Sequence, residues 1–481
     1  MMPQATINSE WLLPASGQSP RRGASISMKD GVISSIDESG VAGSGFAIPA
    51  LGNAHDHARL VRLSQVDSYD VPLEAWLPYL ALMPSVDPWL SSAVAFGRSA
   101  AGGVGSVMAH YTRVQGLTDF STEAKAVAKA ARDVGINLAF AVHCRDRNPL
   151  VYDSQVSLLE SLSPEACACI TGRFLKPYKA ALEQVEIVEQ IAQEIEGDGV
   201  NVQYGPAGVQ WCSDELLALI GERSAATNRR VHMHLLESRY QRVWADKEYP
   251  GGIVKFLDSV GLVNERVSFA HCIHLRPDEM ELIAERGATI VVNTSSNIIV
   301  SSGLAPVGEF IRRGCRVAMG LDGLAFDEDE DALREMRMCY GLHKAYGFER
   351  TMGHSEIIDI ASTNARFAVT GSSGGGLSVG AAADVLLLDW DSLSAELVDP
   401  DTSPVSLMLA RGVKKHVRDL YVGGRRIVAD GAVTGVDLPG LEKTLLAELR
   451  ARFHTSTDIK AAMPELKSAL AKHFRGAYYC G

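Results

Sequence analysis

The sequence predicts an α/β protein, a (β/α)8 barrel of the TIM type joined to a small β-sandwich domain built from both chain ends. Three observations carry this. Between residues 48 and 370, eight short apolar runs alternate with helical segments. Strand-rich segments flank that stretch, at 1–47 and at 371–440. Histidines, an asparagine and an aspartate follow directly on the apolar runs, at the strand ends where a barrel carries its function. A doubly wound sheet has the same rhythm, but no glycine-rich phosphate loop follows the first strand. The chain is long enough for a large domain plus a smaller one.

Composition bounds the rest. Of 481 residues 46% are hydrophobic, and the formal charge is −12. An acidic surface makes nucleic acid an unlikely partner and leaves a small molecule as the expected one. No run approaches the roughly 18 apolar residues of a membrane span, so no membrane partner is expected. Eight cysteines are scattered without zinc-knuckle spacing, which suits a reducing compartment. Met1 to Gly17 has no basic stretch followed by an apolar core, so the expected location is the cytoplasm. The expected assembly is a homo-oligomer, dimer or tetramer.

In chain order, Ala24–Met28 and Val32–Ile36 alternate around Lys29-Asp30-Gly31, a hairpin pattern too short to bury a core by itself. Ile48 to Arg59 begins apolar and ends in His55-Asp56-His57. On a strand, alternate side chains share a face, so His55 and His57 point the same way and Asp56 points away. Val104–His110 and Ile136–Val142 are the next strands, the second running into His143-Cys144-Arg145-Asp146. Between them Glu123–Asp133 is a helix stopped by Gly135. Val200–Tyr204 follows. A helix then opens at Ser213-Asp214-Glu215, an N-cap with an acidic first turn. Val231–Leu235 carries His232 and His234, with Glu237 just beyond. Val267–Ala270 leads into His271, and the helix Pro277–Arg286 is closed by Gly287. Thr289–Val292 runs into Asn293, and Val317–Leu321 into Asp322. After Gly371 strands return at 383–389 and 419–428, and residues 441–481 read as helix.

Three histidines and one aspartate at one barrel mouth form a plausible ligand set for zinc, iron or manganese. Such a metal leaves a position open for water and lowers its pKa. Two isolated loop histidines are the bland alternative for His-x-His alone; the further strand-end groups weigh against it.

Taken together, His55-Asp56-His57, His234 with Glu237, His271, Ser296-Asn297, Ser302-Gly303-Leu304-Ala305-Pro306 and Gly320-Leu321-Asp322-Gly323 resemble the amidohydrolase superfamily. Its cytosine-deaminase and chlorohydrolase branch, which includes the triazine hydrolases, is the nearer likeness. The strands at 383–388 and 421–428 resemble that family's end domain. The resemblance spans nearly the whole chain and implies one divalent metal per chain, zinc first, on His55, His57, His234 and Asp322. It also implies that His271 binds the attacking water or polarises substrate, that Asp322 shares in proton handling, and that Glu237 carries a proton to a substrate nitrogen. His232 is placed behind the ligands. Two departures bear on the substrate: Asp56 stands where Thr is common, and Thr294 where Pro is common. No lysine on the fourth strand is available to bridge two metals, which favours a mononuclear centre.

Six residues are assigned to substrate. Arg59, two beyond His57, leans to the same face with a guanidinium suited to a carboxylate or carbonyl. His110 and His143 end the second and third strands, and core histidines are the equal alternative for both. Gln210 and Trp211 follow the fourth strand, offering an amide and an aromatic face. Asn297 belongs to the Ser-Asn pair. The acidic run 327–331 reads as an exposed helix start.

The resulting expectation is a metal-dependent hydrolase acting on C–N bonds, deaminating an aminated N-heterocycle. The alternative on the same centre is an amide, urea or (thio)carbamate hydrolase, for which Trp76–Leu80 would line a second subsite. The non-enzyme alternative is a barrel with a degenerate site.

Overall fold

Two sheets organise the chain, and they meet at Ala50. The computed structural model describes residues 5–38, 43–58, 62–323 and 326–478. The chain opens with β1 (Ala5–Leu12), β2 (Arg21–Lys29), β3 (Val32–Asp37) and β4 (Phe46–Pro49). The barrel follows as β5 (Leu51–Asp56), β6 (Val104–Tyr111), β7 (Asn137–Cys144) and β8 (Val200–Pro206), then β9 (Val231–Leu235), β10 (Val267–His271), β11 (Thr289–Val292) and β12 (Arg316–Met319). A short exposed hairpin, β13 (Ala345–Tyr346) with β14 (Glu349–Arg350), stands apart. β15 (Val385–Leu388), β16 (Val417–Val422), β17 (Arg425–Ala429) and β18 (Ala432–Val433) then return to the first sheet.

That first sheet has the order β18-β17-β16-β15-β4-β1-β2-β3. Alternation along its strands divides the burial between two cores. Ala47, Val385 and Leu387 join Ile7, Ile26, Met28 and Ile33 in a core of their own. Phe46, Ile48, Leu386 and Leu388 join the barrel's core instead, so the barrel covers that face of the sheet. The expected boundary at 47/48 falls inside β4, which pairs with β1 and β15; the hand-over to the barrel comes at Ala50.

The barrel strands are parallel and ordered by sequence from β5 to β12. They are buried along nearly their whole length because helices cover their outer side. The ladder is not uniform. β6–β7 is continuous from Ser106↔Asn137 to Tyr111↔Val142, and β7–β8 from Leu138↔Val200 to Cys144↔Pro206. β8–β9 pairs at Tyr204↔Val231 and touches again at Gly208↔His234. Between β5 and β12 no ladder forms among the described residues, and a side chain bridges the gap. The Leu321 amide donates to Asn53 Oδ1 at 2.8 Å, and the Asp322 amide donates to the His55 carbonyl at 2.8 Å. Buried backbone groups left out of a ladder need such partners. The approach is close: a Cβ on Gly320 would stand 2.2 Å from Asn293 Oδ1 and 2.8 Å from His55 Cβ.

Helix ends follow the sequence signals. Ser213 Oγ accepts from the Leu216 amide at 3.1 Å, opening Asp214–Thr227. Gly135 (φ 98°) and Gly287 (φ 72°) take left-handed conformations where Phe120–Val134 and Pro277–Arg286 stop. In the acidic run, Asp331 is buried rather than exposed. It caps Ala332–His343 through the Arg334 amide and, with Asp329, holds the Arg334 guanidinium. The chain closes with Leu438–Arg452 and Thr457–Tyr478. No helix among the described residues is long and apolar enough to cross a membrane, and the seven described cysteines are free thiols.

Candidate active site

Five side chains meet at the C-terminal mouth of the barrel. His55 and His57 come from the end of β5, His234 from β9, His271 from the end of β10 and Asp322 from the turn after β12. Asp322 Oδ1 lies 3.2 Å from His55 Nε2 and 3.0 Å from His57 Nε2. The ligand atoms of His55, His57 and Asp322 lie within 4.8 Å of one another, as do those of His55, His234 and His271. The rings of His57 and His234 stack at 5.5 Å, and those of His234 and His271 at 5.4 Å.

The hydrogen bonds behind the rings decide what faces the centre. His57 Nδ1 is 2.7 Å from the His110 carbonyl and His234 Nδ1 is 2.6 Å from the Ala207 carbonyl. A carbonyl only accepts, so each Nδ1 carries the proton and each Nε2 presents a lone pair. His55 Nδ1 meets His232 Nε2 at 2.7 Å, and His232 Nδ1 meets Ser268 Oγ at 2.7 Å. His55 Nε2 is buried with no hydrogen bond. A buried imidazole nitrogen without a partner, surrounded by inward lone pairs and a carboxylate, fits a cation. Burial holds His234 and His232 well below the ordinary histidine range, which keeps both neutral.

The acid–base groups stand beside this cluster. His271 Nε2 lies 3.7 Å from Glu237 Oε2 and 4.0 Å from Asp322 Oδ2. His271 Nδ1 donates to Asn297 Oδ1 at 2.8 Å, and burial lowers its pKa to about 4. Burial works against the charge on Asp322, while His55 and His57, when an Nε2 carries a proton instead of facing a cation, hold its carboxyl well below the usual range. Ser296 Oγ donates to Asp322 Oδ2 at 2.6 Å. Glu237 goes the other way: burial, then the Asp322 and Glu74 carboxyls, push it well above the carboxylate range. Two carboxyls, each within 4.0 Å of His271 Nε2, are thus shifted in opposite directions, as a proton acceptor and a proton donor require.

The centre opens into a cavity of about 260 Å³. His57, His234, Glu237, His271 and Asp322 line its floor. Trp211 and His143 line the walls with the apolar segment from Leu73 to Ala81, and Arg113, Arg145 and Arg173 stand among them. His110, Gln210 and Asn297 are not among the described lining residues. His110 is fully buried, its Nε2 donating to the Gly205 carbonyl at 3.0 Å. Gln210 is buried in the turn Val209–Trp211, its carbonyl taken by Asn148 Nδ2. Asn297 stands behind His271. Arg59 lies outside the described residues.

Sequence reasoning gave no role to Asn53, to Thr112 or to Phe174, which lines the cavity, and none to Ser296 beyond its place in the Ser-Asn pair. Asn53 shares the strand face of His55, so a polar residue in that apolar run was the available signal. Thr112 Oγ1 lies 3.1 Å from His57 Nδ1, and nothing local marks it.

A parallel barrel with imidazoles and a carboxylate converging at its C-terminal mouth defines a metal-dependent hydrolase. A sequence profile of the amidohydrolase family matches residues 46–427, and the chain belongs to that family, as a hydrolytic enzyme acting on C–N bonds. It is 25% identical over 407 residues to a 5-methylthioadenosine/S-adenosylhomocysteine deaminase of Caldicellulosiruptor saccharolyticus, covering 84% of each chain. Two solved structures share the fold. One is an adenosine deaminase of Xanthomonas campestris with bound zinc (TM-score 0.77, 20% identity, 94% of this chain and 98% of that one). The other is an atrazine chlorohydrolase variant of Arthrobacter aurescens with zinc and atraton (TM-score 0.75, 19% identity, 92% and 99%).

Proposed function

We propose that the protein is an aminohydrolase that removes the exocyclic amino group of an N-heterocycle, using one divalent cation, zinc by preference, held by His55, His57, His234 and Asp322. When bound, the cation would polarise a water and bring its pKa toward neutrality. The observation that carries the reading is the opposed pair of carboxyls beside His271. Asp322 Oδ2, close to His271 Nε2, receives the proton of the attacking water. Glu237, whose pKa is raised by burial and then by the Asp322 and Glu74 carboxyls, delivers a proton to the ring nitrogen next to the attacked carbon. His271, held by Asn297, orients the attacking oxygen. Trp211 supplies a face for the ring. Asp322 returns its proton to the amino nitrogen, the added hydroxyl gives its proton to Glu237, ammonia leaves and the ring stays whole. The relatives' substrates fit this chemistry, since each named deaminase acts on an aminated purine nucleoside.

The test is a panel of 5-methylthioadenosine, 5'-deoxyadenosine, adenosine and simpler aminated heterocycles, read by free ammonia and product mass. Ammonia, with NH2 exchanged for OH in the product, is expected. Chelation should abolish turnover, and one equivalent of zinc should restore it. Two organic fragments from one substrate would establish the amide or urea reading instead. That reading is kept by the apolar wall from Leu73 to Ala81, which leaves room for a second substituent.

A further inference from the structure

Behind Glu237 lies a buried polar cluster that the chemistry above does not use. It joins three distant segments: the pocket-wall helix Leu73–Trp76, the loop after β7, and the start of the helix Arg239–Glu248. Glu74, Tyr152, Ser238 and Gln241 are all buried. We propose that Glu74, Tyr152 and Gln241 are positioning residues for Glu237, and that the C-terminal helix Thr457–Tyr478 locks them through Phe474. The proposal rests on Glu237 being the proton carrier.

The backbone amide of Glu237 and the two hydroxyls on Glu74 set the direction of the hydrogen bonds. Glu74 Oε1 accepts from the Tyr152 hydroxyl at 2.9 Å and from the Ser238 hydroxyl. A phenol has one proton, so Tyr152 can only accept its other bond. It accepts from Gln241 Nε2 at 3.3 Å. That contact fixes which end of the Gln241 amide faces which way. Gln241 Oε1 is thereby turned to the Glu237 amide, which donates to it at 2.8 Å. Glu237 needs this support because it follows Leu236, a left-handed residue (φ 49°) where the strand has ended. A carboxyl thus orients a phenol, the phenol an amide, and the amide the backbone that aims the proton carrier.

The C-terminal helix holds the phenol from outside. The Phe474 ring lies 5.3 Å from the Tyr152 ring and 5.2 Å from that of Tyr240. His473 Nε2 lies 3.0 Å from Asp153 Oδ1, next to Tyr152 in sequence. Trp211, on the cavity wall, meets the Tyr152 ring edge at 6.0 Å.

The test uses the zinc-loaded full chain. Tyr152→Phe keeps the ring and its packing and removes only the hydroxyl. Amide exchange at Glu237 is expected to accelerate at least about tenfold as its acceptor is freed. On the best substrate of the panel, kcat is expected to fall about 10- to 100-fold, from misaimed geometry, with KM and zinc content unchanged. Gln241→Ala should do the same, and Phe474→Leu should follow with a smaller change. Unchanged exchange and kcat in both Tyr152→Phe and Gln241→Ala would overturn the proposal. A fall in zinc content or a rise in KM matching the loss in kcat would overturn it too, since either marks a general disturbance. Turnover surviving Glu237→Gln would instead reject the acid–base reading, and the exchange rates would still report on the network.

Discussion

The barrel has two unlike arcs. From β6 to β8 the strands are joined by long ladders, and after each the chain leaves without a left-handed turn. Among the described residues, no non-glycine residue in the three positions after β6, β7 or β8 has positive φ. From β9 through β12 and round to β5 the pairing is shorter and is interrupted beside β9 and β5. Here Ala58, Leu236, His271, Cys272 and Asp322 all take left-handed φ, between 49° and 74°. Such residues cost about 1–3 kcal/mol each and persist where the surroundings over-determine them. The five side chains of the candidate centre all come from this second arc. Continuous ladders build wall; a ladder that stops early lets the chain turn and aim an imidazole or carboxylate at the axis.

The largest difference expected between the arcs is in metal content. His234→Ala should lose the metal and all turnover, while His143→Ala should keep one metal per chain and raise KM. Metal analysis of the two purified variants checks this, and equal loss from both would erase the distinction. Next comes the open seam. Asn53→Ala leaves the Leu321 amide buried without its acceptor, at a cost of about 1–3 kcal/mol. Asn201→Ala, within the zipped arc, removes longer or half-buried bonds to the Leu138 and Val369 carbonyls and should cost less. Urea unfolding ranks them, and the reverse order would show that the seam is not held by Asn53. The smallest effect concerns Glu335, behind the turn that bears Ser296. It accepts from the Ser295 amide at 3.0 Å, and burial pushes its pKa up to about 7. The folded chain then binds a proton that the unfolded chain has released, so this group lowers stability as pH rises from about 4.5 to 7. Glu335→Gln should flatten that fall, as thermal unfolding at pH 5 and pH 7.5 would reveal. A fall as steep as in the parent would leave the carboxyl without a role in it.

The ligand-rich arc was also the legible one. His55, His57, His234, Glu237, His271 and Asp322 each lie at or just past an apolar run, so strand periodicity and strand ends suffice to bring them together. Depth along the barrel was harder to read. His110 stands before the last residue of β6, and its ring sinks under His57 instead of reaching the cavity. Gln210 and Trp211 are neighbours on one turn, and only the indole faces the cavity. Glu74, Tyr152 and Gln241 meet from segments whose spacing carries no period, and only tertiary packing joins them. The boundary near residue 47 was set by a change of pattern, but β4 and β5 are both apolar, so nothing in composition marks Ala50 as the place where one sheet passes to the next.

That hand-over ties the first barrel strand to both ends of the chain. β4 runs directly into the strand that leads to His55 and His57, and it lies between β1, with Trp11 opposite Phe46, and β15, with Val385 opposite Pro49 and Leu388 opposite Phe46. A chain is made from its N-terminus at about 5–20 residues per second. His55 and His57 therefore leave the ribosome early, and the other residues of the candidate site, out to Asp322, follow before β15 has been made. A chain cut short before residue 385 carries every residue from His55 to Asp322 and the β1–β4 pairing, but has β4 open on the side that β15 closes.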